Sequence, residues 1–387
     1  MRRYSAFLLF LTCSLAAAGD DSILQSSPAE KRITAARKAV QANPKSSDSY
    51  NNLAAALCRE ARDNGDVALY DLAETALQRS LQLSPGNHEA QKLQVAVLLG
   101  KHEFAQALQL ATELNSKVHD DISGWGLLVD ANAALGNYAE AERDAQWILD
   151  LRRDSALGFE KAAALRELFG DPQGAIEFYN ATILRTSQND ADERAWLLTQ
   201  NARLQLTAGN AKSAGELLDQ AQKLFPDSQA VIETRAKLRI AEGNYSEAAS
   251  LLEKRYRAVP SSGNLYEWAE ALEKSGQKEQ AAEAFRDFEK KASAEMGRPY
   301  NSNLDLIYFY TDHKSNPAEA LDLATKEAAA RHDCATLAAY AWALYRNGKY
   351  AEAKTQMDRA LAVGVRDPVY LSHAAPIAEM AAREPVQ

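Results

Sequence analysis

Apolar and small residues recur along this chain in blocks of helical period, separated by short polar breaks. The pattern predicts a leading helix at 28–42 and then nine helix pairs. These fall at 46–63 and 66–83, 87–99 and 103–115, 122–135 and 138–151, 155–168 and 172–186, 191–207 and 211–224, 228–241 and 245–258, 263–275 and 278–296, 301–312 and 317–330, and 334–346 and 350–363. A final helix is predicted at 368–382, with Asp367 as its cap and Pro368 in its first turn. Pro376 inside that helix predicts a kink or an early break. No alternating β-branched run competes with the helical reading.

A ruler of single alanines runs through the pattern. Ala73, Ala107, Ala141, Ala175, Ala214, Ala248, Ala281, Ala320 and Ala353 follow one another at steps of 34, 34, 34, 39, 34, 33, 39 and 33 residues. Each opens the second helix of a pair, where a small side chain lets two helix backbones approach. Ahead of most of them stands a glycine: Gly136, Gly170, Gly209, Gly243, Gly276 or Gly348. It falls where the first helix must stop, and glycine adopts the left-handed C′ conformation without steric cost. Pro85, Pro226 and Pro260 close second helices. The two 39-residue steps add a polar loop at 186–193 and the turn 297–300, and local bends are expected at both.

This register resembles the tetratricopeptide repeat (TPR) family. The third repeat carries Trp125, Leu128, Gly136, Tyr138, Ala141, Ala145 and Ile148 at the family's signature positions. The sixth carries Ile232, Ala236, Gly243, Tyr245, Ala248, Leu252 and Pro260, and the ninth Leu337, Ala341, Gly348, Tyr350, Ala353, Met357 and Ala360. The eighth departs, with Ser315 for the glycine and no tyrosine. The resemblance covers residues 28–383 and implies an all-α fold, a right-handed TPR-type α-solenoid of about nine hairpins with single capping helices at both ends. Such an array is expected to be quasi-one-dimensional, each hairpin burying its apolar faces only against its neighbours.

Composition adds a compartment. Arg2 and Arg3, the apolar run 7–15 and Ala16-Ala17-Ala18 make a signal peptide over 1–18, followed by a short disordered linker at 19–27; a disordered tail is expected at 384–387. The predicted destination is the periplasm or the exterior. Cys13 raises a lipoprotein reading, but Phe10 and Thr12 do not suit a lipobox. The net charge of −9, without a Lys/Arg block, argues against nucleic acid as a partner. Cys58 and Cys334 lie eight repeats apart, too far for a disulfide in an extended array.

Nothing in the sequence resembles a catalytic set, so no enzyme activity, metal or cofactor is expected. His119-Asp120-Asp121 reads as a solvated loop, and the sequon at Asn244 falls in the repeat's own turn. The resemblance places positions 2, 5, 9, 12 and 13 of the first helices on the concave face. Trp196, Arg203, Lys237, Tyr266, Phe309, Trp342, Tyr345 and Arg346 occupy such positions and are the candidate partner-binding residues. The competing reading packs the C-terminal aromatics against the last helix. The family's carboxylate clamp does not carry over, because positions 5 and 9 read Glu160 and Ala164, Thr199 and Arg203, Glu233 and Lys237, and Tyr266 and Glu270. The expected function is an exported, non-catalytic scaffold holding a protein segment in its groove. The alternative is a sensor binding a small molecule or glycan in a C-terminal aromatic pocket.

Overall fold

The alanine ruler is buried throughout: all nine alanines are between 0% and 3% exposed in the computed structural model, which describes residues 27–383. The signal peptide, nearly all of the linker and the tail at 384–387 lie outside the described residues. A single helix α1 (Pro28–Ala42) leads into nine pairs. These are α2 (Ser47–Asn64) and α3 (Ala68–Leu83), α4 (His88–Gly100) and α5 (Phe104–Lys117), and α6 (Ile122–Leu135) and α7 (Tyr138–Leu151). Then come α8 (Ala156–Leu168) and α9 (Pro172–Arg185), α10 (Ala191–Thr207) and α11 (Ala211–Leu224), and α12 (Gln229–Ala241) and α13 (Tyr245–Ala258). The last pairs are α14 (Ser262–Lys274) and α15 (Lys278–Glu295), α16 (Asn303–Tyr308) and α17 (Pro317–Ala330), and α18 (Cys334–Arg346) and α19 (Tyr350–Leu361), before the single helix α20 (Pro368–Arg383). The described residues contain no strand.

Local chemistry explains where the helices begin. Ser27 and Glu30 form a capping box on α1, and Ser46, Asn87, Asp121, Ser155, Ser228, Ser261 and Asp333 each accept a backbone N–H at the start of a pair's first helix. Helix α20 runs to Arg383, within a residue of its predicted end, so Pro376 does not break it early. One expectation needs correction. The first helix of the eighth pair is not one α-helix but passes into a π-turn at Phe309–His313, where the Thr311 hydroxyl donates to the carbonyls of Ile307 and Tyr308 at 3.0 Å each.

First helices α2, α4, α6 and α8 stack in series, as do α10 with α12 and α16 with α18. Close stacking is not continued from α8 to α10 or from α14 to α16, where the 39-residue steps fall. It is also not continued from α12 to α14, where the spacing is regular.

The quasi-one-dimensional expectation fails. The turn within a pair (the elbow) in the first half of the chain meets the loop between pairs (the junction) in the second half. The His332 N–H donates to the Leu135 carbonyl at 3.2 Å, and the Cys334 N–H donates to Tyr138 Oη at 2.7 Å across 196 residues. One superhelical turn therefore takes between five and six repeats, and successive turns touch along a seam. Two signature glycines acquire a second role there. A Cβ on Gly136 would stand 2.6 Å from the His332 carbonyl, and one on Gly170 would overlap the Gly364 carbonyl oxygen, whereas Gly209 and Gly243 face open space. Cys58 and Cys334 are both free thiols.

A clasp of charges closes the N-terminal end of the seam. Asp190 at the N-cap of α10 and Asp192 and Glu193 in its first turn face three arginines of α1 and α2. Arg32 pairs with Asp192 at 2.5 Å, Arg59 with Asp190 at 2.6 Å and Asp192 at 3.1 Å, and Arg62 with Glu193 at 2.9 Å. Asp190 stands at the N-cap of α10 but makes no side-chain cap bond there; its carboxylate serves the arginines. Burial pushes its pKa up, yet the hydrogen bonds and charge of Arg59 outweigh that and hold it down at about 2. The Asp192 side chain is 1% exposed, so its charge depends on Arg32 and Arg59.

Replacement of Arg59 by Ala should destabilise the fold by about 3 kcal/mol, since it strands a buried carboxylate. Hydrogen exchange should rise in α1 and α2 before the C-terminal repeats. A uniform rise along the chain would contradict a localised clasp. The glycines offer a matched series. Gly243→Ala should cost about 1 kcal/mol for its left-handed backbone. Gly136→Ala and Gly170→Ala should each cost at least about 1 kcal/mol more by chemical denaturation, because the added methyl meets backbone rather than a side chain that can yield. Equal costs across the series would show that the turns do not rest on those glycines.

Candidate functional site

The concave face is built by the first helices, and one opening on it is framed by α4, α6 and α8. Small and aliphatic residues from three successive first helices form the floor: Leu93 and Ala96, Gly126 and Leu127, then Leu157. The groove encloses about 240 Å³. Gly126 keeps the floor flat, since a Cβ there would stand 3.2 Å from the Leu157 side chain. A lysine stands at each end. Lys92 bonds Asp121 and Glu89, both at 2.9 Å, and Lys161 bonds Asp130 at 2.8 Å. Burial would lower the pKa of Lys92, but these carboxylate bonds outweigh it and raise it. Asp121 also caps α6, and His88 stands 3.4 Å from it, so this residue of the His119-Asp120-Asp121 loop is engaged in structure. The Trp125 indole N–H donates to the His119 carbonyl at 2.8 Å.

Further along, the concave face carries a lattice of opposite charges. Arg203 forks onto Glu167, Arg255 reaches Glu233 at 2.7 Å and also pairs with Glu267, and Lys237 reaches Glu233 at 2.5 Å and Glu267 at 3.7 Å. Burial works against the Glu233 carboxylate, but Lys237 and Arg255 hold its pKa below the ordinary value. Glu267 is pushed up by burial and by Glu233.

The candidate residues named from the sequence scatter. Trp196 is claimed by the clasp, with the Arg62 guanidinium 4.5 Å from its ring. Arg203 and Lys237 sit in the lattice. Tyr266 and Phe309 do not line a surface: they are 6% and 5% exposed. Tyr266 packs 4.8 Å from Phe288, and Phe309 lies 5.6 Å from both Phe285 and Phe288. The π-turn is the physical reason for Phe309, because a wider turn rotates the following residues away from the positions that 3.6-residue spacing assigns. At Tyr266, two phenylalanines of α15 close over a position that would otherwise face the groove.

Trp342, Tyr345 and Arg346 form a cluster at the C-terminal end. Trp342 stacks on His373 of α20 at 3.8 Å and on Tyr345 at 4.9 Å. Its indole N–H donates to Asp312 at 2.8 Å, and Arg346 reaches the same carboxylate at 3.0 Å. Both faces of the Trp342 ring are thus occupied from within the chain. Sequence reasoning missed the groove on α4, α6 and α8 because its floor consists of leucine, alanine and glycine. Only the repeat position, and not the residue type, marks those residues.

A scan of protein-family models finds no match, and no curated protein sequence matches the chain. Solved structures do match. The APC/C hetero-tetramer Cut9-Hcn1 is 14% identical with a TM-score of 0.56, over 91% of this chain and 60% of that one. The human IFIT1 dimer with PPP-AAAA is 13% identical with a TM-score of 0.53, over 87% of each chain. The same dimer with m7Gppp-AAAA is 12% identical with a TM-score of 0.52. This chain therefore spans 60% of the length of the Cut9-Hcn1 chain it matches. At these identities the likeness concerns the fold: the protein is an all-α solenoid of TPR type, with helices in sequential pairs.

His313 gives a pH-dependent reading of the C-terminal packing. Its Nδ1 lies 3.2 Å from Glu273 and its Nε2 3.9 Å from Glu270. Burial alone would lower its pKa, but Glu270 and Glu273 outweigh burial and raise it above the ordinary 6.5. A raised folded value means the contribution is complete below about 6.5 and is lost as pH climbs through the folded value. The stability lost on His313→Gln should be about 1 kcal/mol larger near pH 5.5 than near pH 8.5. Denaturant melts of both proteins across that range check the sign, and a difference that grows with pH contradicts it.

Proposed function

We propose that this protein is an exported, non-catalytic scaffold that holds an extended segment of a protein partner in the concave groove on α4, α6 and α8. The observation that supports it is the groove itself: an aliphatic floor contributed by three successive repeats, framed by Lys92 and Lys161 and by the carboxylates they hold. Such a surface seats small and aliphatic side chains while its rim offers donors and acceptors to a peptide backbone. Export rests on the N-terminal signal pattern. A net charge of −9 disfavours a nucleic-acid backbone as the partner. No helix among the described residues is long and apolar enough to cross a membrane. The sensor alternative loses ground because Trp342 already stacks on His373 and Tyr345.

Arrayed peptides offer the direct test. Wild-type protein should retain a set of sequences rich in small and aliphatic residues. Leu127→Glu should lose that set by 10-fold or more, since it buries a charge against the floor, while Trp342→Ala should keep it. Retention that ignores Leu127→Glu removes the groove from the function.

A further inference from the structure

The seam is closed at the third and fourth elbows and open at the first two. At the third and fourth elbows, backbone meets backbone through Gly136 and Gly170. The second elbow has the same backbone. The His102 N–H bonds the Leu99 carbonyl and the Glu103 N–H bonds the Leu98 carbonyl, as Gly136 and Asn137 bond Ala133 and Asn132. His102 even holds the glycine conformation, with φ at 62°. Here, however, a side chain stands where the other two elbows have none. The facing junction is the one enlarged by 297–300, and between them lies a cleft of about 690 Å³. That is within the range of about 300–1,000 Å³ usual for ligand sites.

The first-turn wall of the cleft carries Glu103, and the second-turn wall carries Arg298 and Arg331 beside the carboxylates of Asp305 and Glu327. On the first-turn wall Glu103 makes no side-chain cap bond to α5 and no ion pair. On the second-turn wall Arg298 has no carboxylate partner among the described residues, while its loop is pinned from beneath. Asn301 donates to the Arg298 carbonyl at 2.8 Å, and Asn303 donates to Glu327 at 2.6 Å. Apolar surface separates the two charges: Phe104, whose ring lies 5.3 Å from that of His102, together with Leu304 and the exposed Met296. Arg331, the other cation of the cleft, is already shared between Glu327 and Asp333. An unpaired anion and an unpaired cation that do not reach each other, across an apolar wall, complement a ligand that carries both signs and an apolar middle.

We propose that this cleft binds a short peptide with both termini free, its carboxylate on Arg298, its ammonium on Glu103 and its side chains against Phe104 and Met296. The site is separate from the concave groove, and its test does not involve the groove residues. Trileucine can be titrated calorimetrically into the full chain, in parallel with its N-acetyl and C-amide forms. Wild type should bind trileucine and lose at least 10-fold on capping either end. Arg298→Gln should weaken the free peptide 10-fold while leaving the C-amide form unchanged, and Glu103→Gln should do the same for the N-acetyl form. The proposal is overturned if trileucine fails to bind wild type at millimolar concentration. It is equally overturned if both capped forms bind as well as the free peptide, or if Arg298→Gln binds as wild type does.

Discussion

The contact between successive turns is the constraint on which the rest of this solenoid depends. Without it, each hairpin would answer only to its neighbours, and the array would behave as a spring. With it, residues of the first three repeats are fixed against partners more than 130 positions away, through Arg59 and Asp190 at one end and Tyr138 and Cys334 further along. The clasp is a strong device of this kind because Asp192 is buried and has its counter-charges supplied by another turn. A buried carboxylate without them would be costly, so the turns close together or the start of α10 must move out.

The same constraint gives one repeat position three different uses. At Gly243 the glycine only ends a helix, with open space around it. At Gly136 and Gly170 it also admits the backbone of the next turn. At His102 the conformation is kept by a residue with a Cβ, at a strain of about 1–2 kcal/mol, and the facing turn stands off across the cleft. Ser315, with φ at 54°, holds the eighth elbow in the same left-handed region. A position that looks uniform as a signature therefore differs in what it faces, and what it faces is decided about 196 residues away.

This explains what could be read from the sequence. Helices, elbows and the alanine ruler are local, and a period of 34 residues carries them, so their predicted bounds fall within a few residues of those observed. The seam has no period of its own in the sequence. Its traces are an acidic stretch at 190–193 and arginines at 32, 59 and 62, which look like ordinary surface until the turns are brought together. The aromatics misled for a related reason. Tyr266 and Phe309 occupy positions that a regular repeat turns inward, but the enlarged junction and the π-turn belong to an irregular one, and α15 covers them. Residue type suggested a binding surface where the fold needed a core.

The groove and the seam also divide the labour of recognition. The floor on α4, α6 and α8 is made of residues whose shape matters more than their chemistry, and its lysines are neutralised by their own carboxylates. Recognition there would come from fit along an extended chain, with modest discrimination at any one position. The cleft at His102 has a different character, with ionised side chains on both walls and a left-handed elbow at its edge. Both surfaces depend on the register between turns, since α4 supplies the groove on its inner face and the His102 elbow at its end. A shift of the second repeat against the 297–300 junction would change the cleft directly, and would change the groove only through the stacking of α4 on α6. A ligand in the cleft can alter the groove only if it favours a placement of α4 different from that of the empty cleft.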